Sequence, residues 1–128
     1  MEQKKKIMIV EDDVFVMDIY HTKFVQEGFE VVSAENGIDG LEKLKKAEAI
    51  PDLILLDILM PYMDGLELIS EIKKDDRLKD IPIILLTNLS QKSDIEKGLE
   101  LGANDYLIKS HFTPSEVLEK ARKYLKKE

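Results

Sequence analysis

Five short apolar runs recur along the chain, and each is followed by a stretch in which apolar residues repeat every three or four positions. The runs are Ile7–Val10, Phe29–Ala34, Leu53–Leu56, Ile83–Leu86 and Asp105–Ile108. Four of them are almost wholly apolar or rich in β-branched residues, which is typical of strands covered on both faces. The second run is more mixed, as expected of an edge strand. The pattern therefore predicts five strands.

The stretches between the runs have the spacing of amphipathic helices. One helical face is shared by the following groups of residues: Val14, Met17, Tyr20 and Phe24; Ile38, Leu41 and Leu44; Leu66, Ile69 and Ile72; Ile95 and Leu99; Val117, Ala121 and Tyr124 or Leu125. Asn36, Asp64 and Thr113 stand where N-cap residues are favoured, and Pro114 follows as the first helical residue. We therefore expect five helices, each preceded by a strand.

Strands that alternate with helices predict an α/β fold of the doubly wound (βα)5 type, with a parallel sheet and helices on both faces. There is no linker and no low-complexity segment, so we expect residues 1–128 to form a single domain. In such sheets, ligands bind beyond the carboxyl ends of the strands. The candidate chemistry is therefore sought at those ends.

Composition narrows the class of protein further. The 128 residues are 44% hydrophobic and 35% charged, include no cysteine and contain no apolar run of membrane-spanning length. We therefore expect a cytoplasmic protein that does not contact a membrane. The formal net charge of −7 predicts that nucleic acid is not a partner, because phosphate backbones require a basic surface.

Charged and polar residues stand at the carboxyl ends of four predicted strands. They are Glu11 and Asp12 after the first, Asp57 after the third, Thr87 at the fourth and Lys109 after the fifth. Taken singly, such residues are commonly helix caps or surface groups, and a cap is the simpler interpretation of the next acid, Asp13. Taken together, they predict that carboxylates, a hydroxyl and an ammonium meet at one edge of the sheet.

These residue types match the requirements of phosphoryl transfer to a carboxylate. Glu11, Asp12 and Asp57 would repel one another without a cation, and hard oxygen ligands favour Mg²⁺, with Mn²⁺ as a possible substitute. A carboxylate can act as the nucleophile that forms an aspartyl phosphate. Lys109 and Thr87 would then compensate the charge of the new phosphoryl group.

The segment Asp57–Gly65 resembles the phosphoacceptor motif of the receiver domains of two-component response regulators, in which Met-Pro and then Asp-Gly follow the modified aspartate. Val10–Asp13, Leu86–Thr87 and Tyr106–Lys109 fall in the order and context expected of that family. The likeness extends nearly from end to end and is closest in kind to stand-alone regulators of the chemotaxis type. It implies a flavodoxin-like fold with strand order 2-1-3-4-5.

The resemblance also implies a role for each residue. Asp57 would be the phosphoacceptor, while Asp12, the backbone carbonyl of Leu59 and Asp57 itself would ligate Mg²⁺, and Glu11 would act mostly through water. The remaining roles fall to Lys109, which would pair with the phosphoryl group, to Thr87, which would move to bond it, and to Tyr106, which would switch rotamer. The protein would be a signalling switch and not an enzyme.

Three departures from the family pattern concern the same edge of the sheet. Ser110 replaces the usual proline after the lysine, and because a cis bond before a non-proline residue costs about 3 kcal/mol we expect a trans bond there. Asn88 replaces a small residue, and Leu59 and Leu89 are apolar where a polar side chain could orient water. We therefore expect slow self-dephosphorylation.

The expected partners are a histidine kinase or phosphotransfer protein, which donates phosphate, and a downstream protein that binds the surface of the fourth helix, fifth strand and fifth helix. A monomer or a weak phosphorylation-dependent dimer is expected. Two alternatives remain open: an adaptor that works without phosphorylation, and a phosphohydrolase in which Glu11 and Asp13 match the spacing of a paired-aspartate motif. His21 and His111 are interpreted as surface residues.

Overall fold

The computed structural model describes residues 4–88 and 92–125, and within them strands and helices alternate strictly. The elements are β1 (Lys6–Val10), α1 (Val14–Gln26), β2 (Glu30–Ala34), α2 (Gly37–Lys46), β3 (Leu53–Leu56), α3 (Gly65–Lys74), β4 (Ile83–Thr87), α4 (Lys92–Leu101), β5 (Asp105–Ile108), a single 3₁₀ turn (Lys109–His111) and α5 (Pro114–Leu125). Each predicted strand begins and ends within one residue of its observed bounds.

All neighbouring strands are parallel, and their order is β2-β1-β3-β4-β5. The predicted fold class and strand order are thereby confirmed, and the mixed second strand lies at an edge. The backbone pairing continues past the strands, since Glu11 N–H donates to Ala34 O and Asp57 N–H donates to Val10 O, each at 3.0 Å. This pairing brings the residues after β1 and β3 to one edge of the sheet.

Two apolar clusters cover the two faces of the sheet, because alternate residues of a strand point to opposite sides. Met8, Ile54 and Ile83 pack with α2, α3 and Ile95 of α4 on one face. On the other face, Ile7 and Leu53 pack with α1 and α5. The buried, nearly continuous apolar strands follow from this two-sided cover.

The helix starts follow the predicted capping chemistry. Asn36 accepts from Asp39 N–H at 2.8 Å, and Asp64 forms a reciprocal capping box with Glu67. Thr113 and Glu116 make the same reciprocal pair before α5. Each cap satisfies donors that the first turn leaves without an intrahelical partner.

Three residues predicted to lie on the apolar faces of helices are exposed. Val14 is 75%, Ile38 45% and Leu99 38% exposed. Val14 and Ile38 lie in the first turn of their helix, which stands beyond the carboxyl edge of the sheet and so has no apolar layer beneath it, whereas Leu99 lines an open groove beside α4. Across residues 4–88 and 92–125, no helix combines the length and the apolar content needed to cross a membrane.

Candidate functional site

The carboxylates of Glu11, Asp12 and Asp57 converge at the carboxyl edge of the sheet. One oxygen from each lies within 4.8 Å of those of the other two. Glu11 and Asp57 are buried, while Asp12 is exposed. The Asp57 side chain keeps 8% of its surface in contact with solvent, so the carboxylate is not walled off.

Lys109 reaches this cluster from the 3₁₀ turn after β5. Its ammonium lies 2.8 Å from Glu11 Oε1 and 3.2 Å from Asp57 Oδ2. The other Asp57 oxygen, Oδ1, accepts from Ile58 N–H at 2.8 Å. Asp57 is therefore fixed by one donor at each oxygen, and its ammonium donor is shared with Glu11.

Burial dominates the electrostatics of the cluster. Desolvation raises the pKa of Glu11 from 4.5 to about 7, with the hydrogen bond from Lys109 opposing it and the charge of Asp57 adding to it. The pKa of Asp57 is also raised by burial, against the pull of Lys109. Burial lowers the pKa of Lys109, but its contacts with Glu11 and Asp57 outweigh this, and the net shift is upward.

Thr87 ends β4 at the same edge and is wholly buried. Within the described part of the chain, its hydroxyl is the buried side-chain oxygen that has no hydrogen-bond partner. A buried hydroxyl without a partner costs free energy, so such a group in a native protein calls for a functional reason. An acceptor or a water that reaches the end of β4 would satisfy it.

The donor set fits a hard divalent cation. Glu11, Asp12 and Asp57 carry three negative charges when ionised, and Lys109 supplies one positive charge, which leaves an excess of two (3 − 1). Carboxylate oxygens close together, one of them exposed, suit a Mg²⁺ ion that retains several waters. The acidic cluster that the sequence predicted is present in this form.

Asp13, the residue on which the phosphohydrolase alternative depended, is the N-cap of α1. Its Oδ1 accepts from Phe15 N–H at 2.9 Å and from Val16 N–H at 3.2 Å. The carboxylate is thus engaged away from the cluster, as the simpler interpretation predicted.

Tyr106 lies outside the acidic cluster and is 42% exposed. It lines a groove of about 410 Å³ between α4 and β5, together with Leu99 and His111.

None of the peptide bonds among the described residues is cis, which confirms the trans bond expected before Ser110. Leu89, one of the residues behind the expectation of slow dephosphorylation, lies outside the described residues.

Sequence reasoning missed two features of the site. The sequence does not predict the contact between Lys109 and Glu11, because the expected partner of the lysine is the phosphoryl group alone. Tyr20 was assigned to the core, yet burial raises the pKa of its phenol and the charges of Lys109 and Glu11 act on it. The one sequence signal for this feature is that Tyr20, an aromatic residue with a polar hydroxyl, lies on the face of α1 that covers β1.

Comparison with known proteins agrees with this geometry. A model of the response regulator receiver domain family matches residues 7–122. "Probable transcriptional regulator ycf27" of Guillardia theta is 39% identical over 99% of this chain and 48% of its own length. The "DNA-binding dual master transcriptional regulator RpaA" of Synechocystis is 34% identical over 95% of this chain and 49% of its own. The crystal structure of the phosphorylated cyanobacterial phytochrome response regulator RcpA has a TM-score of 0.81 at 30% identity, covering 94% of this chain and 91% of that one.

The chain spans about half the length of the curated relatives it matches. Their names include transcriptional regulation and DNA binding, so the expectation that nucleic acid is not a partner has no support from them. The net charge of −7 is that of these 128 residues and not of a chain as long as the relatives. The match over residues 7–122, the strand order and the strand-end cluster lead to one conclusion: the chain belongs to the receiver domain family of two-component response regulators.

Proposed function

We propose that this chain is a phosphorylation switch in which Asp57 accepts a phosphoryl group from a histidine kinase or phosphotransfer protein. The observation that carries the proposal is the meeting of two further carboxylates, those of Glu11 and Asp12, and one ammonium around the buried Asp57, whose side chain keeps 8% of its surface exposed. Because such a cluster is costly without counter-charge, it favours a site that gains a cation and then an anion.

An oxygen of Asp57 attacks the donor's phosphorus, and the bond between phosphorus and the donor nitrogen breaks as the acyl phosphate bond forms. Lys109 donates to Asp57 Oδ2 and lies where it can also bond a phosphoryl oxygen. The buried Thr87 hydroxyl gains its missing partner when it donates to that group. These two donors offset charge that would otherwise oppose the reaction.

Asp12, Asp57 and the backbone carbonyl of Leu59 would hold Mg²⁺ or Mn²⁺ directly, with Glu11 acting through water. When bound, the ion screens the carboxylates from one another and from the incoming phosphoryl group. Asp12 is suited to this task because it is exposed to solvent and adjoins the cluster.

The proposal is tested by incubating the protein with acetyl phosphate and Mg²⁺ and measuring its intact mass. We expect a mass increase of one phosphoryl group in the wild type and none in Asp57→Asn. Asp76→Asn is the matched control, because the side chain of Asp76 is 97% exposed and pairs with Lys79 on the surface. Absence of modification in the wild type would favour the phosphorylation-independent adaptor.

We further propose that the phosphorylated form hydrolyses slowly. Leu59 is 57% exposed on the loop after Asp57, and its side chain offers no group that could orient water. Asn88, which directly follows Thr87 at the end of β4, is exposed. Introducing Leu59→Gln should shorten the phosphoryl half-life, measured by the decay of the added mass. A wild-type half-life of seconds would contradict the proposal.

The downstream contact is proposed on the groove between α4 and β5, where Tyr106 would change rotamer. That residues 1–128 act as one receiver domain, as a monomer or a weak phosphorylation-dependent dimer, also stays a prediction. Size-exclusion chromatography with and without beryllofluoride, which mimics the phosphoryl group, tests the oligomeric state directly.

A further inference from the structure

The loop of residues 58–64, which joins β3 to α3, is closed at its base. Gly65 N–H donates to Ile58 O at 2.8 Å. A Cβ at position 65 would lie 2.4 Å from Asp57 O, so α3 begins directly against the backbone of the proposed phosphoacceptor. One end of the loop is therefore fixed to the site.

A second attachment comes from α2, an element that contributes no side chain to the acidic cluster. Gly37, its first residue, donates its N–H to Met63 O at 3.0 Å. That N–H is one of the donors that the start of a helix leaves without an intrahelical acceptor. Met63 also packs its side chain against the apolar cluster beneath α2 and α3.

The contact between Gly37 and Met63 leaves no room for a side chain. A Cβ at position 37 would lie 2.4 Å from Met63 O and 2.7 Å from Met63 Cγ. Three residues further along α2 the situation differs, because a Cβ at Gly40 would first meet Val10 Cγ2 at an ordinary 3.4 Å. Position 37 thus requires glycine for close approach, whereas position 40 does not.

Residues 59–62 lie between the two attachments, and the last two of them have restricted backbone angles. Pro61 fixes its own φ, and Tyr62 has a φ of 69°, the single positive φ at a non-glycine residue in the described part of the chain. A left-handed conformation is unfavourable for a tyrosine and persists only where the surroundings determine it. The contact at Met63, the next residue, supplies such a constraint.

We propose that Gly37 is a positioning residue for the metal site: by fixing Met63 it holds the loop that carries Leu59, and so sets the direction of the Leu59 carbonyl. This rests on the proposed function, because the carbonyl matters only if the site binds a cation. A residue that contacts and orients a metal ligand without touching the metal typically contributes 10-fold or more to metal affinity.

The experiment is a Mg²⁺ titration of the whole chain followed by NMR, using the amide resonances of Ile58 and Leu59. Gly37→Ala is expected to weaken Mg²⁺ binding roughly 10-fold, although it alters no carboxylate. Gly40→Ala is the matched control on the same helix and should leave the affinity unchanged. Leu118→Ala, in the core on the other face of the sheet, should lower stability yet keep the affinity.

Equal affinity in Gly37→Ala and the wild type would overturn the inference, as would an equal loss in Gly40→Ala. If the wild type itself binds no Mg²⁺, both the inference and the proposed metal site fail; if only the variants fail to differ, the metal site stands. Should Gly37→Ala not fold, hydrogen exchange of the Gly37 amide in the wild type gives the second test, because this N–H donates to Met63 O. Coupling between two sites is reciprocal, so saturating Mg²⁺ should slow that exchange if the contact supports the metal site. An exchange rate that Mg²⁺ leaves unchanged overturns the inference.

Discussion

The acidic cluster and the groove between α4 and β5 differ in what each exposes. In the cluster, ionisable groups are buried, with Glu11 and Asp57 only 4% and 6% exposed. In the groove, large side chains that usually pack inside are open to solvent, with Leu99 at 38% and Tyr106 at 42% exposed. The cluster thus contains buried charges that are costly to desolvate, whereas the groove leaves apolar surface exposed to solvent.

This difference predicts how each region responds to substitution. Buried charge is sensitive to the loss of a partner, because the remaining charge stays desolvated. Removing one atom from a half-exposed side chain in an open groove changes the unfolding free energy only slightly. Changes in the cluster should therefore alter chemistry and stability, while changes in the groove should leave both nearly intact.

The largest effect is expected from Lys109→Met. The substitution removes the ammonium that lies between Glu11 and Asp57, so the phosphorylation rate with acetyl phosphate should fall by at least about 100-fold. Intact-mass time courses measure it, after circular dichroism has verified folding. Lys120→Met, whose ammonium pairs with Asp105 at 3.3 Å, is the control. A Lys109→Met rate within about threefold of the wild type would contradict the prediction.

The next effect is a pH dependence of stability that belongs to Glu11. Since burial raises its folded-state pKa from 4.5 to about 7, the native state retains a proton that the unfolded state releases, and stability is lost as pH rises through this window. Relative to Glu11→Gln, the metal-free wild type should lose about 2 kcal/mol of unfolding free energy between pH 4.5 and 7. Urea denaturation at several pH values measures the difference.

Glu30→Gln serves as the control for that series, because the side chain of Glu30 is 57% exposed. Its stability relative to the wild type should change little with pH. A wild type that gains stability relative to Glu11→Gln over the same range would show that the charge of Lys109 outweighs burial at Glu11.

The sequence predicted the fold well because both signals were strong. Buried parallel strands are continuous apolar runs, and capping residues such as Asn36 and Asp64 mark helix starts locally. The predicted burial of Val14 and Ile38 was wrong, because periodicity identifies a helix face but does not show where the sheet beneath it ends. The cluster was predictable for a topological reason, since parallel strands bring their carboxyl ends to one edge.

Other features depend on contacts between residues far apart in the chain. The hydrogen bond of Lys109 to Glu11 depends on how far a flexible side chain reaches across the edge. The contact of Gly37 with Met63 depends on the path of a loop, which no apolar spacing encodes. Glycine occurs at the start of many helices that make no such close approach, so its presence at position 37 does not by itself identify the contact.

Thr87→Val should have a smaller effect, with opposite signs for stability and chemistry. Replacing a buried hydroxyl without a partner by a methyl group of the same shape should raise the unfolding free energy by about 1 kcal/mol. The same change removes a donor to the phosphoryl group, so the affinity for beryllofluoride should fall. Thermal denaturation and a beryllofluoride titration measure the two effects, with exposed Thr22→Val as the control. A loss of stability would show that the hydroxyl is satisfied.

The smallest effect is expected from Tyr106→Phe in the groove. Because this side chain is already 42% exposed, loss of its hydroxyl should change the unfolding free energy by less than about 0.5 kcal/mol and leave the phosphorylation rate unchanged. Tyr124→Phe makes the contrast, since that hydroxyl donates to Asp105 Oδ2 at 2.8 Å and its removal should cost about 1 kcal/mol. If urea denaturation showed a larger loss of unfolding free energy for Tyr106→Phe than for Tyr124→Phe, the Tyr106 hydroxyl would contribute to the stability of the fold, and the groove would not be a merely open surface.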